Sequence, residues 1–475
     1  MTNIRLFGHD IPLMFLYLAL VEFLLLVASV FSAAYTRNYF MGDVEGWPEL
    51  SDLERITGPL LPNAAVYALL MLLAITAMGL YSGGYLRLGK RGVIARIVVA
   101  HLSGILLFTF LVYAFPGLFL GRGLLFLAVM YSMAFIILSR KAFGNFVESR
   151  ALERRVLVYG AGARAKLIED MESQLNRHGT RLCGCVRVNK EPVEVSSTHV
   201  IDNFEPLPDL VDRFDIDEIV VAADDRRNSL LVDELLECRL NGVTVSDLAN
   251  FIERESGKLR LDIMSPSTLI FSEGFAQGMF RDVVERVFDV AGSLLLLAVA
   301  SPVMLLTAVA IKIEDGLRAP VIYRQTRIGK DGKPFSVLKF RSMREDAEKL
   351  GAQWARDDDD RVTRVGSVIR KLRIDELPQT INVLRGDMSF VGPRPERPEF
   401  VRELARKLPY YSERHRVKPG ITGWAQLNYP YGASDRDALE KLQYDMYYAK
   451  HHTLILDLFI LIQTVEVVLF GKGAR

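Results

Sequence analysis

Residues 370–395 read RKLRIDELPQTINVLRGDMSFVGPRP, which places an acidic pair, a helix start and several cations in one short span. Pro378 is best tolerated in the first turn of a helix, Gly386 suits its C-terminal cap, and Leu377, Ile381 and Leu384 recur between them at helical spacing. Asp375 and Glu376 therefore stand at the mouth of a short helix. The free N–H groups and partial positive charge of such an end favour a phosphate, which Arg370, Arg373 and Arg394 would neutralise further. Neighbouring helical residues face different ways, so Asp375 and Glu376 are expected to carry different duties. An aspartate, with a reference pKa of about 3.9, is ionised at neutral pH and needs no general base to attack phosphorus. Its repulsion from an anionic diphosphate would be relieved by a divalent metal, with magnesium expected, and by the arginines. The bland alternative is a helix cap with a solvated neighbour.

Upstream, residues 290–311 (VAGSLLLLAVASPVMLLTAVAI) form an apolar run long enough to cross a bilayer. Pro302 removes a helix hydrogen bond at mid-run, and Ser301 can offer its hydroxyl to the freed carbonyl. Arg281 and Arg286 precede the run and Lys312, Arg318, Arg324 and Arg327 follow it, so both ends read as cytoplasmic. A re-entrant, broken helix over about 287–313 satisfies that reading, where a single crossing does not. Four further runs, 11–34, 62–81, 94–114 and 118–138, fill the N-terminal region. The acidic loop with Asp43, Glu45, Glu49, Asp52 and Glu54 reads as outside. The basic stretches with Arg87, Lys90, Arg91 and Arg96, and with Arg140, Lys141, Arg150, Arg154 and Arg155, read as inside. The first ten residues lead into an apolar stretch without a small-residue cleavage site, which suits an anchor and not a signal peptide.

Between these regions, 155–252 alternates strand-like and helix-like patterns. Strands are expected at 155–159, 182–188, 198–201, 218–222 and 242–245, and Gly160, Gly162 and Ala165 form a GxGxxA turn after the first. This is a Rossmann-like α/β unit. The second strand ends on Val188, Asn189 and Lys190 and not on the acid that a dinucleotide site needs, so a packing turn is favoured over a cofactor site. The expected architecture is thus a multi-domain α-helical membrane plus α/β protein: a four-helix transmembrane bundle (1–145), a Rossmann-like module (150–255) and a monotopic catalytic domain (278–475).

Composition agrees. The chain has 475 residues, and Lys plus Arg number 58 against 57 for Asp plus Glu, a balance that gives no sign of a nucleic-acid partner. Cys183, Cys185 and Cys238 supply neither a disulfide framework nor zinc spacing.

KFRSM (339–343), RVTRVGSVIRKLRIDELPQTINVLRGDMSFVGPRPE (361–396) and KPGITGWAQ (418–426) occur ungapped and in that order. On these motifs, roughly 280–475 resembles the bacterial sugar transferases, the monotopic polyprenyl-phosphate phosphoglycosyltransferases. The rest resembles the large multi-helix subgroup typified by undecaprenyl-phosphate glucose or galactose phosphotransferases. The resemblance implies a UDP-sugar donor, an undecaprenyl phosphate acceptor and a bacterial inner-membrane location, at the start of an exopolysaccharide, capsule or O-antigen repeat. It further implies that Asp375, also a metal ligand, attacks the sugar-linked phosphate, that UMP leaves, and that the polyprenyl phosphate then displaces the aspartate. Glu376 is expected to assist metal or acceptor positioning. Lys339, Arg341, Arg370, Arg394, Arg414 and Arg416 are expected at phosphate or nucleotide, Asp445 at nucleotide, and Tyr444, Tyr447 and Tyr448 at the membrane interface. Ser301–Pro302 matches the family's helix break. Asp357, Asp358, Asp359 and Asp360 read as a solvated turn, and the tail 452–470, interrupted by Asp457 and Glu466, as an interfacial or packed helix. The bundle and module offer surfaces for a homodimer. Two rivals are a scaffold or nucleotide-sensing protein of polysaccharide export and an NAD-dependent sugar-nucleotide enzyme. The second lacks a YxxxK pair in the Rossmann-like stretch, and the first gives no reason for an intact Asp-Glu motif.

Overall fold

Runs of Leu, Val, Ile and Phe that can satisfy their backbone groups internally become helices α1 (Leu13–Met41), α2 (Leu60–Ala77), α3 (Lys90–Ala114) and α4 (Arg122–Glu148). A hairpin of β1 (Asn3–Leu6) and β2 (His9–Pro12) precedes them. The computed structural model describes residues 3–6, 9–41, 59–78, 80–81, 90–148, 154–176, 179–188, 191–201, 205–225, 231–264, 275, 278–344, 361–429, 432 and 434–470. Outside them lie Asp43, Glu45, Glu49, Asp52, Glu54, Arg87, Arg150, Asn189, Lys190 and 357–360. All four helices contain stretches long and apolar enough to cross a membrane. Two cations counted above as loop charges are buried inside helices. Arg96 donates to the Met78 carbonyl at 2.8 Å, and Arg140 grips Glu22 of α1 with Nε–Oε1 2.7 Å and Nη2–Oε2 2.8 Å. An unpaired charge at that depth is costly, and mutual pairing offsets the cost.

The next region forms a five-stranded parallel sheet: β3 (Arg154–Tyr159), β4 (Thr180–Val186), β5 (Val200–Ile201), β6 (Glu218–Val221) and β7 (Thr244–Asp247), in the order β5-β4-β3-β6-β7. Between and after the strands run α5 (Ala163–Asp170), α6 (Glu172–Leu175), α7 (Leu207–Phe214), α8 (Val232–Leu240) and α9 (Leu248–Ser256). The last strand starts later than expected because Gly242, at φ +96°, turns the chain first. The glycine turn after β3 is filled from within. The Ala163 and Arg164 N–H groups each donate to the Asp224 carboxylate at 3.0 Å, and a Cβ on Gly162 would fall 2.1 Å from Asp224 Oδ2. The N–H groups that would bind a dinucleotide phosphate are thus already engaged by the chain's own carboxylate.

The chain divides into two units, Met1–Glu255 and Ser256–Arg475. The second opens into α10 (Met279–Asp315), which is helical throughout its 37 residues with Pro302 inside it, where a break was expected. Ser301 Oγ donates to the Ala298 carbonyl at 2.9 Å, the acceptor that Pro302 has no N–H to reach. After α10 come the antiparallel hairpin β8 (Ile322–Ile328) and β9 (Pro334–Phe340), then α11 (Arg364–Lys371) and α12 (Gln379–Arg385). Strand β10 (Ser389–Val391) pairs in parallel with β11 (Gly420–Thr422), and α13 (Pro398–Lys407) lies between them in sequence. Helices α14 (Trp424–Asn428), α15 (Asp435–His451) and α16 (Leu454–Phe470) complete the unit. Tyr447 and Tyr448, expected at the membrane interface, are buried in this unit. Tyr447 stacks on Trp424 with ring centroids 5.9 Å apart, and Tyr448 donates to the Val391 carbonyl at 3.2 Å and to Asp457 at 2.6 Å. Burial pushes the Asp457 carboxyl up to about 7.

Candidate active site

The acidic pair occupies a 3₁₀ turn, Ile374–Glu376, between α11 and α12. Arg373 enters it at φ 59°, a left-handed conformation uncommon outside glycine, and such strain is held only where the surroundings over-determine it. Pro378 caps the start of α12 and Gly386, at φ 94°, ends it, as their residue types require. Two long-range contacts fix α12. Arg286 of α10 donates to the Val383 and Leu384 carbonyls at 2.7 and 2.6 Å, at a helix end where Val383 also accepts from the Gly386 N–H at 3.0 Å. The buried Asn382 accepts from the Leu338 N–H at 3.0 Å and donates to the Ser336 carbonyl at 2.7 Å, joining α12 to β9. The next residue of β9, Lys339, then reaches Glu376, with Nζ–Oε1 3.2 Å.

Arg394 approaches the same carboxylate from the other side, donating from Nη2 to Oε1 at 2.8 Å. Its position follows from a backbone crossing between the FVGPRP and KPGITG segments. A Cβ on Gly392 would lie 2.2 Å from the Lys418 carbonyl oxygen, one on Gly420 2.1 Å from the Gly392 nitrogen, and one on Gly423 2.2 Å from the Gly392 oxygen. Only glycines allow this approach. Arg414 donates to the Arg394 carbonyl at 3.0 Å, and Arg327 to the Pro395 carbonyl at 3.1 Å.

Burial raises the carboxyl pKa of Glu376, but the charges of Arg394 and Lys339 outweigh it and hold the group far below the usual carboxylate range. Lys339 is itself lowered by burial, partly opposed by Glu376. Asp375 is also buried, yet its side chain has no hydrogen-bond partner among the described residues. Burial and then the Glu376 charge raise its pKa, against smaller opposing effects from Lys339, Arg373 and Arg370.

Of the residues expected at phosphate, Lys339, Arg370 and Arg394 are thus gathered around the pair. Arg414 and Asp445 face each other, both buried, at 2.6 Å. Arg416 lies at the surface paired with Glu413, and Arg341 is half-buried just beyond β9. Arg286 and Arg327 were read only as charges flanking the apolar run, and Asn382 was not anticipated. Among the described residues no group of three or more His, Cys, Asp or Glu side chains is placed to hold a metal ion. A magnesium site nonetheless fits, because that ion commonly takes one or two protein carboxylates and completes its shell with phosphate oxygens and water. Asp375 would offer it a carboxylate with no hydrogen-bond partner among the described residues.

Comparison with known proteins gives the same region a lineage. The family described as bacterial sugar transferase matches residues 280–471. A UDP-N-acetylgalactosamine-undecaprenyl-phosphate N-acetylgalactosaminephosphotransferase of Aeromonas hydrophila is 42% identical over 241 residues, 51% of this chain and 56% of the relative. The chain therefore spans little more than half the length of that protein. The uncharacterized sugar transferase EpsL of Bacillus subtilis is 41% identical over 197 residues, 41% of this chain and 91% of EpsL. A UDP-glucose:undecaprenyl-phosphate glucose-1-phosphate transferase of Caulobacter vibrioides is 42% identical over 197 residues, 41% of this chain and 72% of the relative. With the acidic pair, its clamping cations and the glycine crossing all inside the matched span, the chain belongs to the bacterial sugar transferase family.

Proposed function

We propose that this protein transfers a sugar 1-phosphate from a UDP-sugar to undecaprenyl phosphate and releases UMP, through a covalent intermediate on Asp375. The observation that carries the reading is the contrast within the pair. Glu376 is held by two cations, whereas Asp375 beside it is buried without a hydrogen-bond partner among the described residues. A carboxylate that is largely buried and bound by no donor among the described residues keeps its lone pairs available as a nucleophile. Asp375 attacks the sugar-linked phosphorus, the bond from that phosphorus to the bridging oxygen breaks, and UMP departs with the electron pair. A phosphate oxygen of the polyprenyl phosphate then attacks the aspartyl phosphosugar, and cleavage of the Asp375–phosphorus bond restores the carboxylate. Lys339, Arg370 and Arg394 stabilise the charge on the transferring phosphoryl group. Asp375 would hold magnesium, which when bound draws charge off the diphosphate. Arg414, paired with Asp445 in the core, holds the Arg394 backbone.

The reading includes a monotopic seat at the cytoplasmic face of a bacterial inner membrane. Both ends of α10 pack within the same unit, through Arg286 at one end and Ile311 at the other, while Leu294, Leu295, Val299, Leu305 and Leu306 between them are exposed. For a helix of this length that arrangement calls for a bend such as Pro302 permits, and supports entry and exit through one leaflet. The names of the relatives support both glucose and N-acetylgalactosamine as donor sugars, and the longer match to the Aeromonas protein favours the second as an alternative to a plain hexose. The test is UMP release by the purified chain in nanodiscs with magnesium, undecaprenyl phosphate and each of UDP-glucose, UDP-galactose, UDP-N-acetylglucosamine and UDP-N-acetylgalactosamine. Lipid-dependent release with one donor, abolished by Asp375→Asn, is expected. Absence of release with all four would overturn the proposal for this donor set.

A further inference from the structure

On the inner face of α10, Glu285, Asp289 and Ser293 recur at four-residue spacing, and all three are buried. A polar stripe inside an otherwise apolar helix is costly unless its groups are engaged. Asp289 is the centre of that engagement. Its Oδ1 accepts from Ser389 Oγ at 2.9 Å and from the Phe390 N–H at 3.2 Å, both in β10. Lys418, which leads into β11, places Nζ 3.2 Å from Glu285 and 3.9 Å from Asp289 Oδ2. His452 Nε2 lies 3.5 Å from Glu285 and 3.4 Å from Asp457. One turn beyond Asp289, Phe390 packs so tightly on α10 that a Cβ on Gly292 would come within 2.8 Å of its ring.

We infer that Asp289 and Lys418 are positioning residues for Arg394. Asp289 holds β10, and Lys418 holds the segment that crosses it at Gly392 and Gly420. The chain leaves β10 through Gly392 and Pro393 and presents Arg394 to Glu376 three residues beyond the strand. The seat of the membrane-embedded helix and the cation over the acidic pair are thus joined by one short run of backbone. A displacement of α10 therefore reaches the donor site through Arg394. This inference rests on the proposed role of Arg394 at the transferring phosphate.

The test is a double-mutant cycle in the full chain. Asp289→Ala lowers kcat/KM for the UDP-sugar about tenfold, and in an Arg394→Lys background the same substitution costs less than about twofold, because a residue acting through Arg394 has little left to position. Asp289→Asn, which keeps the acceptor for Ser389 and Phe390, restores most of the loss. Ser389→Ala removes one bond from the other side and falls between them. Equal losses in both backgrounds would overturn the inference and make Asp289 a general stability residue. Hydrogen exchange decides the matter independently of turnover: Asp289→Ala speeds exchange across 389–394 while 374–385 stays protected. Unchanged exchange across 389–394 would overturn the inference even in an active enzyme. Absence of UMP release from the unsubstituted chain would instead count against the proposed reaction.

Discussion

Burial raises the carboxyl pKa of both Asp375 and Glu376, and only Glu376 has cations close enough to reverse the effect. Two pH dependences follow. In the proposed reaction Asp375 must be ionised to attack, so kcat/KM is expected to fall as pH drops through its raised pKa, with an acid limb above the ordinary aspartate range. Glu376→Gln removes the negative charge that helps raise Asp375, so a pH–rate profile of that variant should show the limb moved to lower pH; movement to higher pH would contradict the electrostatic assignment. The same variant should lower kcat about 100-fold, the scale seen when one preorganised charge is lost from an active site. For stability the sign is set by Glu376, whose folded pKa is depressed. Its contribution is present above the unfolded value of about 4.3 and is lost as pH falls below it, so melting curves of Glu376→Gln should be flatter with pH in the acid range. The acidic pair could be read from sequence because Pro378 and Gly386 bracket it locally. The partners of Glu376 could be nominated but not assigned, since Lys339 and Arg394 meet it only after β9 and β10 are in place.

Among the elements, the glycine crossing of β10 and β11 bears most on the site, and it explains why both segments carry glycine beside proline. Gly392→Ala would press a methyl against the Lys418 carbonyl, a backbone atom that cannot swing aside, and should cost about 2–3 kcal/mol with loss of activity. Thermal unfolding of the purified variant measures it, and an unchanged midpoint would contradict the crossing. At the glycine turn of the α/β module, Asp224 already caps α5. No heat of NAD binding is expected by calorimetry, and Asp224→Ala should destabilise the module by about 1 kcal/mol through loss of the cap. Strand periodicity revealed the five strands of the α/β module with small errors at their ends, but gave no sign of β10 or β11. It could not show which glycines meet another backbone, nor that Tyr447 and Tyr448 face protein and not lipid, because an aromatic residue gives the same pattern in both settings.

For the whole molecule, hydropathy revealed the apolar helices, while long-range pairing hid from it the buried Arg96 and the Glu22–Arg140 pair. The topology prediction concerns α10. Single cysteines at Gly278→Cys and Arg318→Cys, placed in a chain with Cys183, Cys185 and Cys238 replaced by serine, should both react with an impermeant maleimide from the cytoplasmic face. Labelling from opposite faces would make α10 a crossing and contradict the monotopic seat. The chemistry itself is tested most directly by mass spectrometry of the protein after exposure to UDP-sugar and magnesium without lipid acceptor. A phosphosugar adduct is expected on the peptide containing Asp375, absent in Asp375→Asn and discharged by adding undecaprenyl phosphate. Lipid-dependent UMP release from a chain that never carries such an adduct would contradict the covalent intermediate, and would mean direct transfer between the two substrates.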